Sequence, residues 1–569
     1  MQRSAEVPSC KFFDSDLNLQ RTLARLMERS AARWTAKLSA FGGWVGEEVD
    51  RSAAYTDRHG RPILATYDRE GRVVNRIIKN PAWEAVSREV YRRGAVGLNY
   101  GDDPAPFLIT FAMGYLLSQA DVSLHCPVTM TGAVAYVLDR YAPAAIKARY
   151  LPELTRMDGQ ALSAGTWATE LHGGSDIGAT TTTTRPEGDH FRLNGVKWFA
   201  SNADGGLALA TARPEGAGPG SKGLGLYLVP LRLDDGTLNP MRFRRLKDKL
   251  GTTGIPTAEI DLIDTWAVQV APPPEGFRLM MAALEFSRIH NAMGSVGLQR
   301  RAFVEALHYA AGRHAFGKPI AHYPMIQDEL LTMLVKFEAG MALAFEAARA
   351  FDHADGGQTQ DDDKSRVWLR LATAFAKYQT AEEANRACRS AIEIIGGNGY
   401  TYDHVTPRLL RDAQVMTVWE GPANIQALEV LRVMAGRHPG AEAFAARVEP
   451  ALATTPPALV AIAAPVRTAF EDWREALTLI RGDAGEGVRH ARRVMALMAD
   501  ILAAVLLLEE AAADLAAGDG RKTLIVRLFV ESQFAPPARR GILPGRDWMH
   551  RHFERLANFQ EIALSSHAE

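Results

Sequence analysis

The sequence is poor in cysteine, and its few cysteines are widely separated. Cys10, Cys126 and Cys388 form no CxxC pair and no spacing typical of metal ligands in a chain of 569 residues. This pattern excludes a disulfide framework and a cysteine-based zinc site, and we predict no metal. Free, scattered cysteines are typical of proteins from a reducing compartment, so we expect a cytoplasmic protein.

Long apolar stretches are also missing. The N-terminal stretch MQRSAEVPSCKFFDSD contains no apolar segment of the kind that a secretory signal requires. The most apolar run, ILAAVLLL at 501–508, lies between Asp500 and Glu509 and is too short to cross a bilayer. We therefore expect no membrane span, and we predict that this run forms a buried helix.

The chain has no surplus of either charge. Lysine and arginine number 65, aspartate and glutamate number 66, and the formal net charge is -1. This balance provides no overall attraction to a polyanion. The sequence also lacks a GxGxxG that opens a helix after a strand, and it lacks GxxxxGK[ST]. A doubly wound nucleotide-binding fold would in addition alternate strands and helices, which this chain does not do.

Local patterns predict a mainly helical α+β protein with four regions. The first, 1–162, is predicted to be helical apart from an extended or hairpin excursion near 55–76. The second, 163–272, alternates apolar and polar residues and is predicted to be a β-domain. Helical periodicity returns in the third region, 273–438, and continues in an alanine-rich fourth region, 439–569.

Individual segments support this division. PAWEAVSREVYRRGAVGL opens with Pro81 and places Trp83, Val86, Val90 and Tyr91 on one helix face. FLITFAMGYLLSQADV is predicted to be a more buried helix, and AVAYVLDRYAP a helix that stops at Pro143. The threonine run before PEGD, followed by alternation in HFRLNGVKWFAS, predicts a β-hairpin. Another helix is predicted to begin at Pro422.

Three stretches carry most of the chemical information. They are GTWATELHGGSD (165–176) with NGVKWFAS (194–201), GRHAFGKPI (312–320), and IIGGNGYTYDHVTPRLLRDAQVMTVWEGPANIQ (394–426). In this order and spacing, over roughly Leu98 to Met434, the chain resembles the acyl-CoA dehydrogenase family of flavoproteins. CPVTMT, RLKDKLG and VWEGPANIQALEVLRVM are similar to the AidB-like, alkylation-response branch of that family. The resemblance implies an N-terminal helical domain, a central β-domain, a C-terminal four-helix bundle and an extra C-terminal helical segment.

The resemblance implies FAD as the cofactor and assigns residues to it. In the family, Phe199 would lie against the isoalloxazine, and the Arg313 segment would reach the FAD of a neighbouring subunit, which implies a homo-oligomer, either a dimer or a tetramer. The implied cofactor-binding residues are Thr169, Ser175, Phe199, Ser201, Arg313, Phe316, Gln327, Gly397 and Asn424. Each motif also has a structural interpretation: a glycine turn, a buried aromatic strand, a solvated arginine at a helix end, or a GGNG helix stop.

Glu420 in TVWEGPANIQ allows two interpretations. A carboxylate two residues before a helix-starting proline is stabilised by the positive end of the helix dipole, and this interpretation gives Glu420 no catalytic role. The resemblance instead assigns Glu420 as the base that removes the α-proton of an acyl-CoA, with its own backbone N–H at the thioester oxygen. It also implies that Arg288, Trp419 and Gly421 contact substrate. A second base position of the family, just before Arg288, holds Ser287 here, and Glu285 is three residues before that arginine.

The chain departs from the common family pattern at three positions. Many relatives have tyrosine at the position of Trp419, whereas the AidB-like branch has tryptophan there, as this chain does. The larger ring of tryptophan could narrow the acyl pocket. Thr253 replaces the arginine of a K-x-G-x-R pattern, and His172 occupies a position that usually holds a small residue or proline. A lone histidine is more often a surface or structural residue than a catalytic one.

Two other functions remain open from the sequence. A DNA-associated protective protein with weak dehydrogenase activity would need a basic C-terminal patch, but residues 441–569 contain 15 Lys and Arg against 17 Asp and Glu. Arg539, Arg540, Arg546, Arg551 and Arg555 could still cluster. The other alternative is a flavin-dependent oxidase, which would pass electrons to oxygen rather than to an electron-transfer flavoprotein or another acceptor.

Overall fold

A computed structural model describes residues 11–356, 362–435, 439–534 and 548–563. These residues form two compact units, each described by itself below. Unit 1 comprises Met1–Gly43 together with Asn291–Glu569, and unit 2 is the continuous segment Trp44–His290. The four-region division of the chain remains a prediction.

The helices and strands confirm the predicted mainly helical α+β order. The helices are α1 Leu17–Met27, α2 Ala31–Trp44, α3 Asp50–His59, α4 Pro81–Arg92, α5 Phe107–Ser118, α6 Val122–Tyr141, α7 Ala144–Thr155, α8 Glu275–Gly312, α9 Pro324–Gly356, α10 Asp362–Ile395, α11 Thr406–Met416, α12 Ala423–Ala435, α13 Gly440–Ala453, α14 Val460–Gly482, α15 Ala484–Ala516, α16 Arg521–Gln533, α17 Trp548–Arg551 and α18 Phe553–Ala557. The strands are β1 Ile63–Tyr67, β2 Val73–Ile78, β3 Ala164–Trp167, β4 Thr183–Glu187, β5 His190–Ser201, β6 Leu207–Pro214, β7 Gly225–Pro230, β8 Met241–Leu246, β9 Thr257–Ala271, β10 His314–Ala315 and β11 Lys318–Pro319.

The helices of unit 2 follow the sequence signals closely. Pro81 opens α4, and the side chain of Asn80 caps it by accepting a hydrogen bond from the Trp83 amide at 2.9 Å. Every residue of α5 is buried, as its uniform apolarity predicts. The predicted excursion is the antiparallel hairpin β1–β2, which the amide of Asn75 fastens to the carbonyl of Met241 at 2.7 Å.

Helix α6 begins earlier than predicted. Asp121 caps it by accepting a hydrogen bond from the Ser123 amide at 2.7 Å, and the helix then continues through Pro127. Proline in the second turn removes only one ladder hydrogen bond, and the Thr131 hydroxyl donates to the Pro127 carbonyl at 2.6 Å. The CPVTMT segment is therefore helical, and the prediction placed the start of this helix too late.

The sheet of unit 2 closes on itself. Its strand order is β3-β6-β4-β5-β9-β7, with an additional β6–β7 pairing that completes a ring and with β8 paired to β9. The predicted hairpin is β4–β5, which begins at Glu187 opposite His190. Trp167, Tyr227 and Phe243 belong to the buried core inside this sheet. The sheet thus gives a rigid support to the loop 169–176 and to strand β5.

Unit 1 combines the helical bundle with the C-terminal helices. The side-chain amide of Gln299 on α8 donates to the carbonyl of Thr380 on α10 at 3.0 Å. Helix α15 packs against α9, α10 and α12, and its apolar stretch 501–508 is largely buried, as predicted. The C-terminal helices therefore share a core with the bundle. Among the residues with a described structure, no helix is long and apolar enough to span a membrane.

A buried ion cluster joins α9 to the C-terminal helix α16. The Glu338 carboxylate lies 2.6 Å from an Arg521 guanidinium nitrogen and 2.5 Å from the Lys522 ammonium. All three residues are buried, and the two cations hold the pKa of Glu338 down at about 2 despite that burial. Lys522 also donates a hydrogen bond to the Asn18 side chain of α1 at 3.0 Å, so this ion cluster connects α1, α9 and α16.

Asp500 on α15 makes part of the packing of unit 1 sensitive to pH. It accepts a hydrogen bond from Gln379 of α10 at 2.9 Å. Burial, together with Glu383, raises its pKa to about 6, although Lys336, the Gln379 hydrogen bond and Arg386 oppose this shift. Because the folded protein favours the protonated acid, the stabilising contribution is complete below the unfolded pKa near 3.8 and is lost as pH rises through about 6.

Asp500→Asn should therefore stabilise the protein selectively at neutral pH. We expect a gain on the order of 2 kcal/mol at pH 8 that shrinks towards zero at pH 4, because asparagine keeps the acceptor for Gln379 without a buried charge. Thermal unfolding of the wild type and the variant across this pH range measures the effect. Asp472→Asn, at an exposed position of α14, is the control and should keep the wild-type pH dependence. A gain at Asp500 that does not vary with pH would contradict the assignment.

Candidate active site

Glu420 lies in a turn with an unusual backbone. Helix α11 ends at Met416, and α12 begins at Ala423 rather than at Pro422, whose carbonyl accepts from the Ile425 amide at 2.8 Å. Glu420 has a φ of 58° and Gly421 has a φ of 93°. A left-handed conformation is costly for glutamate and is frequent at functional sites. The half-buried Glu420 side chain therefore projects from a strained turn just before α12. A favourable interaction with the helix dipole would not require such strain.

Gln426, which sequence reasoning missed, holds this turn. Its side-chain nitrogen donates to the Glu420 carbonyl at 3.1 Å and to the Gly421 carbonyl at 3.0 Å. The side chain is 1% exposed and sits in the first turn of α12. In the sequence, Gln426 is visible only as a polar residue within the predicted helix. That pattern does not show that the residue is buried or that it bonds to the Glu420 and Gly421 carbonyls.

The other site residues predicted near Glu420 lie in the same turn or directly after it. Trp419 is half-buried, and its amide donates to the Val415 carbonyl at 3.1 Å. Gly421 adjoins Glu420, and Asn424 is exposed on the first turn of α12. The turn therefore brings Trp419, Glu420, Gly421 and Asn424 together. Their roles towards substrate and cofactor remain predictions.

A second part of unit 1 suits an anion. The Arg313 guanidinium donates to the Ile395 carbonyl at 3.2 Å and lies next to Gly396. Gly396 has a φ of 76°, and a side chain at Gly397 would meet open space. The GGNG sequence was predicted to be a helix stop or a phosphate-binding loop. It forms a short 3-10 helix over 396–400, directly after the end of α10. A fixed guanidinium beside exposed glycine backbone can approach phosphate oxygens closely.

The neighbouring segment forms a small hairpin, β10–β11, with an exposed tip. Phe316 at the tip is 97% exposed and has a φ of 51°. The Tyr323 hydroxyl donates to the Ala315 and Phe316 carbonyls at 2.8 and 3.0 Å. Gln327 lies in the first turn of α9, where its amide donates to the Tyr323 carbonyl at 3.0 Å. Tyr323 therefore fixes a hairpin that presents a large aromatic ring to solvent.

In unit 2, strand β5 presents the predicted flavin-facing residues. Phe199 is 52% exposed, and the Ser201 hydroxyl lies 3.0 Å from that of Thr257 on β9. The Lys247 ammonium lies 3.5 Å from the Trp198 ring centre and 4.7 Å from that of Phe199. Glu259, whose carboxylate is 2.6 Å away, pairs with Lys247. An exposed aromatic beside a fixed hydroxyl suits a planar ring with polar edge atoms.

The loop before β5 holds Thr169 and Ser175. The Thr169 carbonyl accepts from the Trp198 amide at 2.9 Å, which ties the loop to β5. Ser175 is exposed. His172 is also exposed, with a ring nitrogen 3.2 Å from the Asp176 carbonyl, as expected for a surface residue. The loop thus brings Thr169 close to the strand that carries Phe199 and Ser201.

A buried ion pair beneath this loop was not predicted. The Glu170 carboxylate lies 2.8 Å from the Lys197 ammonium, and both side chains are almost completely buried. Glu170 also accepts hydrogen bonds from the hydroxyls of Thr181 and Thr182 at 2.7 and 2.6 Å. Although burial opposes it, Lys197 with these hydroxyls lowers the pKa of Glu170 to about 2, so the carboxylate is ionised. The pair fixes the backbone next to Thr169 and Phe199.

In the described structure, the residue just before Arg288 is a serine whose hydroxyl is engaged within α8. The buried Ser287 hydroxyl donates to the Ala283 carbonyl at 3.1 Å within α8. Two residues after Arg288, a nitrogen of His290 lies 3.0 Å from one of His125. Burial lowers the pKa of His125 to about 3 and that of His290 well below its usual value, so both rings are neutral. Arg288 is half-buried, and its contact with substrate remains a prediction.

Thr253 has a structural partner that explains its place in KLGTT. Its hydroxyl donates to the Asp57 carboxylate at 2.8 Å, within unit 2. The position therefore links the β-domain to α3 without the arginine of the usual pattern. This contact supports a role in packing for Thr253.

These residues fit FAD as a cofactor. Unit 1 offers Arg313 beside Gly396 and Gly397, which is suitable for a pyrophosphate. Unit 2 offers a half-exposed Phe199 and the Ser201 hydroxyl, which are suitable for a flat ring with hydrogen-bonding edges. No group of metal-ligating side chains occurs in the described ranges.

Three family models match consecutive parts of the chain. They are the adaptive response protein AidB N-terminal domain at residues 3–158, the acyl-CoA dehydrogenase middle domain at 165–265, and the acyl-CoA dehydrogenase C-terminal domain at 274–435. Together they cover most of the chain before the last helical region.

Individual relatives agree with these models. Acyl-CoA dehydrogenase family member 11 of Caenorhabditis elegans is 34% identical over 78% of this chain and 74% of that protein. The putative acyl-CoA dehydrogenase AidB of Escherichia coli is 32% identical over 72% of this chain and 76% of that protein. The crystal structure of C. elegans ACDH-11 in complex with C11-CoA superposes with a TM-score of 0.86 at 31% identity, covering 92% and 91% of the two chains. The chain therefore belongs to the acyl-CoA dehydrogenase family of FAD-dependent enzymes that act on the CH–CH bond of acyl-CoA thioesters, and it carries an N-terminal domain of the AidB type.

Proposed function

We propose that this protein desaturates an acyl-CoA thioester between its α and β carbons, with Glu420 as the α-proton base. The observation that carries the proposal is the half-buried Glu420 carboxylate in a left-handed turn held by two hydrogen bonds from the buried Gln426 side chain. Such a turn fixes the direction of one side chain, which proton abstraction requires and a surface acid does not.

The reaction follows from two bond cleavages. The Glu420 carboxylate takes the α-proton, and the Glu420 amide donates a hydrogen bond to the thioester oxygen as negative charge develops there. FAD supplies the acceptor for the hydride that leaves the β-carbon, and the product is a trans-2-enoyl-CoA. Exclusion of water by Trp419 would favour transfer of the proton to the carboxylate over exchange with solvent.

An anaerobic substrate series tests this function. The purified protein should show a flavin absorption spectrum, and acyl-CoAs of 4 to about 16 carbons should be added without oxygen. The C. elegans relative was crystallised with C11-CoA, so we expect bleaching to be fastest near medium chain lengths. A protein that binds FAD but is bleached by no acyl-CoA would sink the dehydrogenase proposal.

The acceptor and the assembly state belong to the same proposal. We propose an electron-transfer flavoprotein as the acceptor, and a dimer or tetramer in which the exposed Phe316 hairpin meets another copy. We propose the reducing cytoplasm as its location, which the wide spacing of the cysteines supports; Cys126 and Cys388 are both buried. Oxygen consumption during turnover distinguishes a dehydrogenase from an oxidase, and light scattering gives the number of subunits.

The described residues supply only part of the basic patch that a DNA-binding function would need. Of the five arginines that could form a C-terminal patch, Arg539, Arg540 and Arg546 lie outside the described residues. Arg551 and Arg555 are exposed on the short helices α17 and α18, and two arginines do not make a phosphate-tracking surface. Duplex binding at low salt is the relevant assay, and binding that weakens steeply with salt would support this alternative.

A further inference from the structure

We infer that Gln426 is a positioning residue for Glu420, acting through the backbone rather than on the substrate. The inference rests on the proposed role of Glu420 and adds a residue that controls where its carboxylate points. Gln426 is separated from Glu420 by Pro422 and the start of α12, yet its side chain folds back over that start.

The two hydrogen bonds use the full donor capacity of the Gln426 amide. A glutamine side-chain nitrogen carries two hydrogens, and here one goes to the Glu420 carbonyl and the other to the Gly421 carbonyl, at 3.1 and 3.0 Å. These carbonyls belong to successive peptide planes. Fixing both planes fixes both dihedrals at Gly421 and the orientation of the peptide that follows Glu420, and so supports the turn from which the carboxylate projects.

The turn needs such a support because its conformation is unfavourable. A non-glycine residue at a φ of 58° costs about 1–3 kcal/mol and persists only where surrounding contacts hold it. A β-carbon at Gly421 would lie 2.9 Å from the Gln426 nitrogen, so the absence of a side chain at Gly421 leaves the space that this nitrogen occupies. The Gln426 side chain is buried and the two carbonyls are half-buried, so both hydrogen bonds are partly shielded from water.

Two substitutions separate this role from general packing. Gln426→Met keeps the length of the side chain and removes both donors, whereas Gln426→Glu keeps its shape and places a carboxylate against two carbonyls. Gln299→Met is a matched control, because Gln299 is also 1% exposed and its amide donates to a backbone carbonyl, that of Thr380, at 3.0 Å. All three variants lose a buried amide donor in unit 1.

Anaerobic stopped-flow reduction measures the effect on chemistry. We expect both Gln426 variants to reduce flavin about 10–100-fold more slowly than the wild type at saturating acyl-CoA, with the Kd for acyl-CoA within about threefold. FAD content should remain stoichiometric, and Gln299→Met should react at the wild-type rate despite a comparable fall in Tm. Equal rates in the wild type and Gln426→Met, or equal losses in Gln426→Met and Gln299→Met, would overturn the inference.

A measurement without turnover distinguishes this inference from the proposed function. Hydrogen exchange over the peptide Thr417–Gln426 in the protein without substrate should accelerate at least tenfold in Gln426→Met and not in Gln299→Met. If the wild type fails to reduce flavin but the exchange difference appears, the desaturation proposal fails while the positioning of the turn by Gln426 stands. Unchanged exchange in Gln426→Met would contradict the inference whatever the activity.

Discussion

Glu420→Gln is expected to slow acyl-CoA-dependent flavin reduction by about 10²–10⁴-fold while FAD stays bound, because a general base contributes a factor of this size. Glutamine keeps the shape of the side chain and the backbone N–H that would face the thioester oxygen, so binding of acyl-CoA should persist. Anaerobic stopped-flow spectroscopy gives the rate, and the ratio of flavin to protein absorbance gives the FAD content.

Glu285→Gln provides the comparison for this experiment. Glu285 lies on α8, three residues before Arg288, and the proposal gives it no part in proton removal. Its substitution should leave the reduction rate within about threefold of the wild type. If Glu285→Gln abolishes reduction and Glu420→Gln does not, the base has been assigned to the wrong residue.

Glu338→Gln is expected to destabilise unit 1 by about 3–5 kcal/mol, the cost typical of breaking a buried ion pair. The change removes the negative charge that Arg521 and Lys522 share, and it leaves Lys522 paired with Glu510 while the buried Arg521 keeps only a neutral acceptor, the Leu556 carbonyl, among its described hydrogen bonds. Urea unfolding followed by circular dichroism should show a lower urea concentration at the midpoint of the transition in which unit 1 unfolds. Both cations are buried, so water cannot replace the lost carboxylate.

Two further observations test the same cluster. Glu471→Gln, which breaks an exposed ion pair with Arg474, should change stability by less than about 1 kcal/mol. The folded-state pKa of Glu338 is depressed to about 2, so its contribution is present above the unfolded pKa of 4.5 and is lost as pH falls towards 2. Wild type and Glu338→Gln should therefore converge in stability over that interval, and a constant difference would refute the electrostatic explanation.

The predictable parts of the fold were those with a local pattern. The face of α4, the uniform apolarity of α5 and the β4–β5 hairpin each follow from spacing within about 20 residues. The start of α6 was predicted too late, because the helix runs through Pro127, a residue that is rare in helix interiors, and begins at the Asp121 cap. The family resemblance, rather than periodicity, gave the motifs that lead to the site.

The supporting contacts of the site were not predictable in the same way. Glu170 meets Lys197 across 27 positions, and Glu338 meets Arg521 across 183. Charged residues are usually exposed, so composition assigns each of these to the surface. The left-handed conformation of Glu420 is also invisible in a sequence, because glutamate has no preference for it. Tertiary structure supplies each partner, and no local signal anticipates it.

The cluster that joins Asn18, Glu338 and Lys522 also bears on the order of folding during synthesis. Unit 2, Trp44–His290, is continuous and can close soon after it leaves the ribosome. Helix α1 is made first, yet its partners Asp519 and Lys522 are made about 500 residues later. At roughly 5–20 residues per second, α1 must therefore wait on the order of a minute for them. Helix α9, whose Met341 sulfur accepts a hydrogen bond from the Asn18 side chain, is made 323 residues after it. We therefore expect crosslinking of α1 to chaperones in ribosome-bound chains that end before α9, and less of it in chains that include α9.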